Sequence, residues 1–268
     1  MRKTIVVAEI GENHMGDMEL AKEMIVKAAA AGADIVKFQS YLASEVASND
    51  PERDWFAKVQ LSDEAHYELK RVAEEHGVEF LSSPFSINRA KLLCEGLGLK
   101  KIKVASSELL NFRLLDYLND RVETIFLSAG MATLEEIDEA LSHLKKVKNC
   151  YIMHCTTQYP TKPEDANLRA INTLKNVYPQ HKIGYSDHTI GIQAVLTAVA
   201  LGAEVVEKHF TLDKSLPGTD HALSITPSEL ERLIKKIEEI EVLLGDSAKK
   251  PTKDELKIKS FVRSRFPK

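Results

Sequence analysis

Cysteine, long apolar runs and an excess of either charge are all scarce in this chain, and each scarcity removes a class of protein. Three cysteines in 268 residues, Cys94, Cys150 and Cys155, are an odd number set inside apolar segments. That is no disulfide framework, and it implies a reducing, cytoplasmic compartment with three buried thiols. Apolar runs reach about half of the roughly 20 residues that a membrane span needs. Met1-Arg2-Lys3 leads straight into a strand-like run, so no signal peptide is expected. With 36 basic against 40 acidic residues and a net charge of −4, neither a nucleic-acid nor a membrane surface is indicated. Low-complexity stretches and short repeats are missing as well. A hydrophobic content of 44% still suffices for a sizeable core. A globular protein acting on small molecules remains.

Short β-branched runs at 4–9, 34–39, 78–82, 101–105, 124–128, 150–155, 182–185 and 204–208 read as strands. Helical patterns follow at 17–31, 62–76, 86–95, 111–119, 133–146, 164–177, 191–201 and 226–244. Eight βα units in this length predict an α/β fold of (β/α)8 TIM-barrel type, a single domain over 1–245. Residues 246–268, with eight Lys or Arg against three Asp or Glu, read as a basic tail or linker remnant. Thr133 with Glu136 and Thr226-Pro227 with Glu229 have capping-box spacing. Gly32, Gly77 and Gly202 stand where left-handed helix caps are expected. An open doubly wound sheet shares the alternation, but its dinucleotide fingerprint is missing: Gly11 and Gly16 lack the G-x-G start. Two long loops, 41–61 with the single Trp55 and 211–225, fall on the face where barrels keep their active sites.

In a barrel, polar residues at the C-terminal ends of apolar strands converge on one pocket. Here nearly every strand ends in such residues. The first presents Glu9 with Glu12, Asn13 and His14 beyond it, the second Lys37 and Gln39, the third Ser82 and Ser83, the fourth Lys103 and Ser106. Ser128 ends the fifth; His154, Thr156, Thr157 and Tyr159 end the sixth. Ser186, Asp187 and His188 end the seventh, and Glu207, Lys208 and His209 the eighth. Five of the nine histidines, His14, His154, His188, His209 and His221, fall on this rim. Lys37 and Lys103 sit in apolar runs and must meet an anion or lose their charge. With Ser83, Ser106, Ser128 and Ser186 around them they suit a phosphate or carboxylate; a Schiff-base lysine is the rival reading. His188 and His209 could share a divalent metal, with Glu9 or Asp220 as oxygen ligand or water positioner. Glu207 shares a strand face with His209 and is a candidate general acid/base, with a buried salt bridge to Lys37 or Lys103 as the alternative.

Several of these segments together resemble the sialic acid (nonulosonic acid) synthase family: Ala8-Glu9-Ile10-Gly11-Glu12-Asn13-His14-Met15-Gly16-Asp17, Val36-Lys37-Phe38-Gln39, Phe80-Leu81-Ser82-Ser83-Pro84-Phe85, Lys103-Val104-Ala105-Ser106 and Leu127-Ser128-Ala129-Gly130-Met131-Ala132. So do His154-Cys155-Thr156-Thr157-Gln158-Tyr159-Pro160, Gly184-Tyr185-Ser186-Asp187-His188-Thr189 and Glu207-Lys208-His209-Phe210-Thr211. The resemblance covers about residues 4–245. It implies a barrel enzyme that condenses phosphoenolpyruvate (PEP) with an N-acetylmannosamine-type sugar, releases phosphate, and uses a divalent ion, manganese or magnesium. By the same resemblance His188 and His209 match metal ligands. Lys37, Lys103, Ser83, Ser106, Ser128, Thr157 and Ser186 match positions holding PEP. Gln39, Tyr159 and Asp220 match positions at the sugar, and Glu9, Glu207 and Asp220 positions around the reacting carbons.

Three departures stand out. Thr157 replaces a frequent asparagine, and the 41–61 loop is shorter than in relatives. The family also usually continues into an antifreeze-like domain of about 60 residues, whereas this chain ends near Arg263-Ser264-Arg265, about where the linker to that domain would begin. A homodimer paired through barrel faces is the expected assembly. Related PEP-dependent synthases of other sugar acids, a lysine-dependent aldolase and a non-catalytic sugar or anion sensor are the competing readings.

Overall fold

The computed structural model describes residues 3–266. Each β-branched run forms a strand: β1 Ile5–Gly11, β2 Ile35–Ser40, β3 Glu79–Pro84, β4 Lys101–Val104, β5 Thr124–Ser128, β6 Asn149–Cys155, β7 Lys182–Asp187 and β8 Val205–His209. All pair in parallel in the order β3-β2-β1-β8-β7-β6-β5-β4. The β1·β8 ladder, from Ile5↔Val205 to Glu9↔His209, joins the two ends of the chain's strand series. β3 and β4, the ends of that order, lie side by side, so the sheet is a nearly closed barrel of the expected (β/α)8 type.

Around it run α1 Met18–Ala30, α2 Arg53–Val59, α3 Asp63–Glu75, α4 Ile87–Lys91, α5 Phe112–Asn119, α6 Leu134–Ser142, α7 Ala170–Val177, α8 Gln193–Ala200, α9 Pro227–Leu244 and α10 Lys253–Ser264. Both expected capping boxes form at α6 and α9, and Gly32, Gly77 and Gly202 have φ of 93°, 69° and 93°. The segment 41–61, read as a loop, contains a 3₁₀ turn and α2. Trp55, Phe56 and Val59 give α2 a partly buried face, and β2 and α3 flank it. The helix expected at 86–95 changes after Lys91 to π geometry over Leu92–Gly96. The stretch after Gly245 includes α10, opened by a Thr252/Glu255 capping box yet carrying no buried residue.

Strand alternation divides the core in two. Val6, Ala8, Ile10, Val36, Phe38, Ile125, Leu127 and Val206 face the helices in one large cluster. Val7, Ile35, Leu81, Phe126, Tyr151, Met153 and Val205 fill the barrel interior in another. Two residues further along each strand the same inward parity reaches Glu9, Lys37, Ser83, Ser128, Cys155 and Glu207. The apolar plug therefore sits below and the polar site above it. Among the described residues no helix is long and apolar enough to cross a membrane.

Candidate active site

The fourteen residues matched from the sequence to metal, PEP, sugar or reacting-carbon positions all line one cavity of about 470 Å³ at the C-terminal mouth of the barrel. They are Glu9, Lys37, Gln39, Ser83, Lys103, Ser106, Ser128, Thr157, Tyr159, Ser186, His188, Glu207, His209 and Asp220.

At its floor two lysines and two glutamates, all buried, form one charge network. Lys37 Nζ lies 2.7 Å from Glu9 Oε1 and 3.6 Å from Glu207 Oε1. Lys103 Nζ lies 3.0 Å from the same Glu207 oxygen, which also accepts from Ser186 Oγ at 3.1 Å. The two carboxylates diverge in consequence. Burial pushes Glu9 up to about 7, against the single close cation of Lys37. Glu207 is equally desolvated, but Lys103 and Lys37 together outweigh that and hold it down at about 2. Lys37 is desolvated too, yet the two glutamates raise its pKa, so it stays a cation and is a poor Schiff-base nucleophile. Glu9 Oε2 and Glu207 Oε2 are buried without hydrogen-bond partners, so each carboxylate keeps unused acceptor capacity.

His188 follows β7 and His209 ends β8, with ring centroids 5.3 Å apart. Burial pushes the first down to about 4 and the second to about 3, so both imidazoles are neutral near pH 7. His188 Nδ1–H donates to the Thr156 carbonyl at 2.8 Å, the tautomer that leaves Nε2 a free lone pair. His209 Nδ1 lacks a hydrogen bond and lies 3.4 Å from Asp220 Oδ2. Two neutral imidazoles with an orphaned nitrogen fit a first-row divalent cation. Among the described residues no group of three or more His, Cys, Asp or Glu forms a metal cage, so such an ion would draw its other ligands from water or substrate.

The hydroxyl residues ring the lysines. Ser83 Oγ is 3.4 Å from Lys37 Nζ, the Ser128 hydroxyl is buried and unpaired, and Ser106 Oγ accepts from the Gly130 N–H at 3.1 Å. A Cβ on residue 130 would stand 2.6 Å from that oxygen and closer still to Thr157 Oγ1, so the β5 loop can approach only as glycine. Tyr159 lays its ring over His188, centroids 4.1 Å apart.

Three of the five rim histidines stay out of the cavity lining. His14 packs on Phe38 and accepts from the Gly16 N–H, His154 Nε2 meets the Ala166 carbonyl, and His221 bonds the Thr211 hydroxyl. Lys208 points to the opposite face of β8 and pairs with Asp187 at 2.7 Å. Conversely, Glu12, Tyr41, Glu52, Phe56, Phe85 and Cys155 line the cavity without having been given a role from the sequence. Cys155 was accessible to parity, since it shares the inward face of Tyr151 and Met153. Glu12 and Phe85 directly follow β1 and β3, whereas Tyr41, Glu52 and Phe56 depend on how the 41–61 segment folds back.

The profile of the NeuB family matches residues 24–249. The N,N'-diacetyllegionaminic acid synthase of Campylobacter jejuni is 42% identical across 98% of this chain and 84% of its own length. The human N-acetylneuraminate-9-phosphate synthase is 36% identical across 91% and 72%. The crystal structure of an N-acetylneuraminic acid synthetase from Leptospira borgpetersenii superposes with a TM-score of 0.91 at 36% identity, covering 99% of this chain and 93% of that one.

Proposed function

The chain belongs to the NeuB family and is a PEP-dependent condensing enzyme; from that premise we propose that it joins PEP to an N-acetylmannosamine-type sugar and makes a nonulosonic acid. The observation that carries this reading is the floor of the cavity, where Lys37 and Lys103 stand among Ser83, Ser106, Ser128 and Ser186. A trianionic substrate can share those cations with the glutamates and accept from hydroxyls such as the unpaired one of Ser128. Two relatives, in Campylobacter jejuni and Legionella pneumophila, are N,N'-diacetyllegionaminic acid synthases, so a 2,4-diacetamido sugar is an acceptor of equal standing.

Carbon 3 of PEP forms the new C–C bond to the sugar's aldehyde carbon, water adds at carbon 2, and the tetrahedral intermediate breaks its C2–O bond to release phosphate. The water's two protons end on the acceptor's new hydroxyl and on the departing phosphate. Glu9, with a pKa about 7, is matched to carry one of them. Glu207 stays ionised, fixes Lys103 and Ser186, and orients the PEP pocket. A divalent cation held by His188 and His209, manganese or magnesium, would supply Lewis-acid polarisation of the aldehyde oxygen. Asp220 and Gln39 accept from and donate to the sugar, and Tyr159 covers the histidine pair. We place the enzyme in the cytoplasm, which accords with three free, buried thiols, and propose that it pairs as a homodimer.

The test is phosphate release from PEP across a panel of aldoses, with manganese and then with a chelator. Metal-dependent release with one acylated amino sugar is expected. Release with arabinose 5-phosphate or erythrose 4-phosphate would assign a different sugar-acid synthase. PEP binding without release for any sugar would favour a non-catalytic sensor.

A further inference from the structure

The cavity divides by charge. Its cations, Lys37 and Lys103, lie on the floor against Glu9 and Glu207. The wall built by the residues after β1, the 41–61 segment and the loop after β8 carries carboxylates instead, from Glu12, Glu52 and Asp220. Glu12 feels the like charge of both others.

Glu12 is fixed by two donors from the folded-back segment. Trp55 Nε1–H donates to Oε2 at 2.5 Å and Tyr41 O–H to Oε1 at 3.1 Å. Each oxygen keeps one lone-pair direction for a further donor, such as a sugar hydroxyl or an amide N–H. Beside it Tyr41 stands edge-on to Phe56 and Phe85, with ring centroids 5.1 and 5.8 Å away, an apolar face suited to an acyl methyl. Lys58 on α2 lies over the Trp55 ring, 5.2 Å from its centroid, and does not line the cavity. A donor-rich, uncharged, acylated sugar is complementary to this wall, whereas a phosphate dianion meets like charge there.

Resting on the synthase reading above, we propose that Glu12 is a specificity-determining residue that selects an uncharged N-acylated acceptor and rejects its 6-phosphate. Trp55 and Tyr41 are its positioning residues, which couples acceptor choice to the 41–61 segment.

The experiment compares N-acetylmannosamine, a 2,4-diacetamido hexose and N-acetylmannosamine 6-phosphate by PEP-dependent phosphate release, in the native enzyme and in Glu12→Gln. An uncharged sugar is expected to exceed the 6-phosphate by about 100-fold in kcat/KM, and Glu12→Gln to narrow that ratio by about 10-fold through KM. Preference of the native enzyme for the 6-phosphate, or an unchanged ratio in Glu12→Gln, overturns the proposal. Release with no sugar counts against the synthase reading itself, and calorimetric titration of PEP-loaded protein then decides the acceptor question separately. Binding of an uncharged sugar alone upholds the role of Glu12; equal or tighter binding of the 6-phosphate, or binding of neither, overturns it.

Discussion

Glu9 and Glu207 show how one network gives two carboxylates opposite characters. Both are buried, but Glu207 shares one oxygen with Lys103 and Lys37 and takes a serine hydroxyl besides, whereas Glu9 has Lys37 alone. Desolvation therefore wins at Glu9 and the cations win at Glu207. Only the first is poised to exchange a proton near neutral pH. Replacing Glu9 by Gln keeps the shape and removes the titratable group. We expect kcat to fall by about 10²- to 10⁴-fold while PEP affinity changes far less, as read from phosphate-release kinetics and a PEP titration. Equal losses in both would make Glu9 a binding residue instead.

At the level of elements, the C-terminal ends of β7 and β8 are held by a network on the face away from the cavity. Lys208 Nζ pairs with Asp187 Oδ2 at 2.7 Å, both side chains fully buried, and also donates to the Thr189 carbonyl. Asp187 further accepts from the Tyr185 hydroxyl at 2.9 Å and from the Thr189 N–H at 2.9 Å. Each partner is next in sequence to a cavity histidine, Asp187 to His188 and Lys208 to His209. Holding these two residues together thus sets the spacing of the imidazoles. Lys208→Met removes the cation and strands a buried carboxylate, which costs about 3–5 kcal/mol. Urea unfolding should show a loss of that order, and manganese binding, measured calorimetrically, should weaken with it. A variant as stable as the native chain would assign Asp187 another partner.

For the molecule as a whole, acid sensitivity follows from histidines buried neutral outside the site. Burial pushes His14 and His66 down to about 4 from an ordinary 6.5. His66 lies between α3, where it bonds the Ser62 carbonyl, and the buried Arg89 guanidinium. The unfolded chain therefore binds protons that the folded one refuses between about pH 6.5 and pH 4. Their contribution to stability is complete above that window and is lost as pH falls through it, by up to about 1.4 kcal/mol per pH unit for each group. Glu9 acts with the opposite sign over an overlapping range, so the difference between two proteins is the informative quantity. Urea midpoints for His66→Gln at pH 7, 6 and 5 should fall less steeply than those of the native chain. Parallel slopes would remove His66 from the acid response.

The βα repeat, the barrel and the residue types on its rim were legible in the sequence, because β-branched runs, helical period and capping pairs act over a few residues and need no partner. Strand parity even separates the apolar plug from Glu9, Lys37 and Glu207, and by the same rule it turns His154 away from Met153 and Cys155. Counting histidines along the rim passed over that rule, and it does not extend to His14 or His188, which lie beyond their strands. Only the closed barrel could bring Lys103 onto Glu207 from 104 residues away and so rank the two glutamates. Only the folding back of α2 could set Trp55 on Glu12. Secondary structure answers to local chemistry, whereas a carboxylate's protonation and a pocket's selectivity depend on which distant charges and donors the tertiary fold sets beside it.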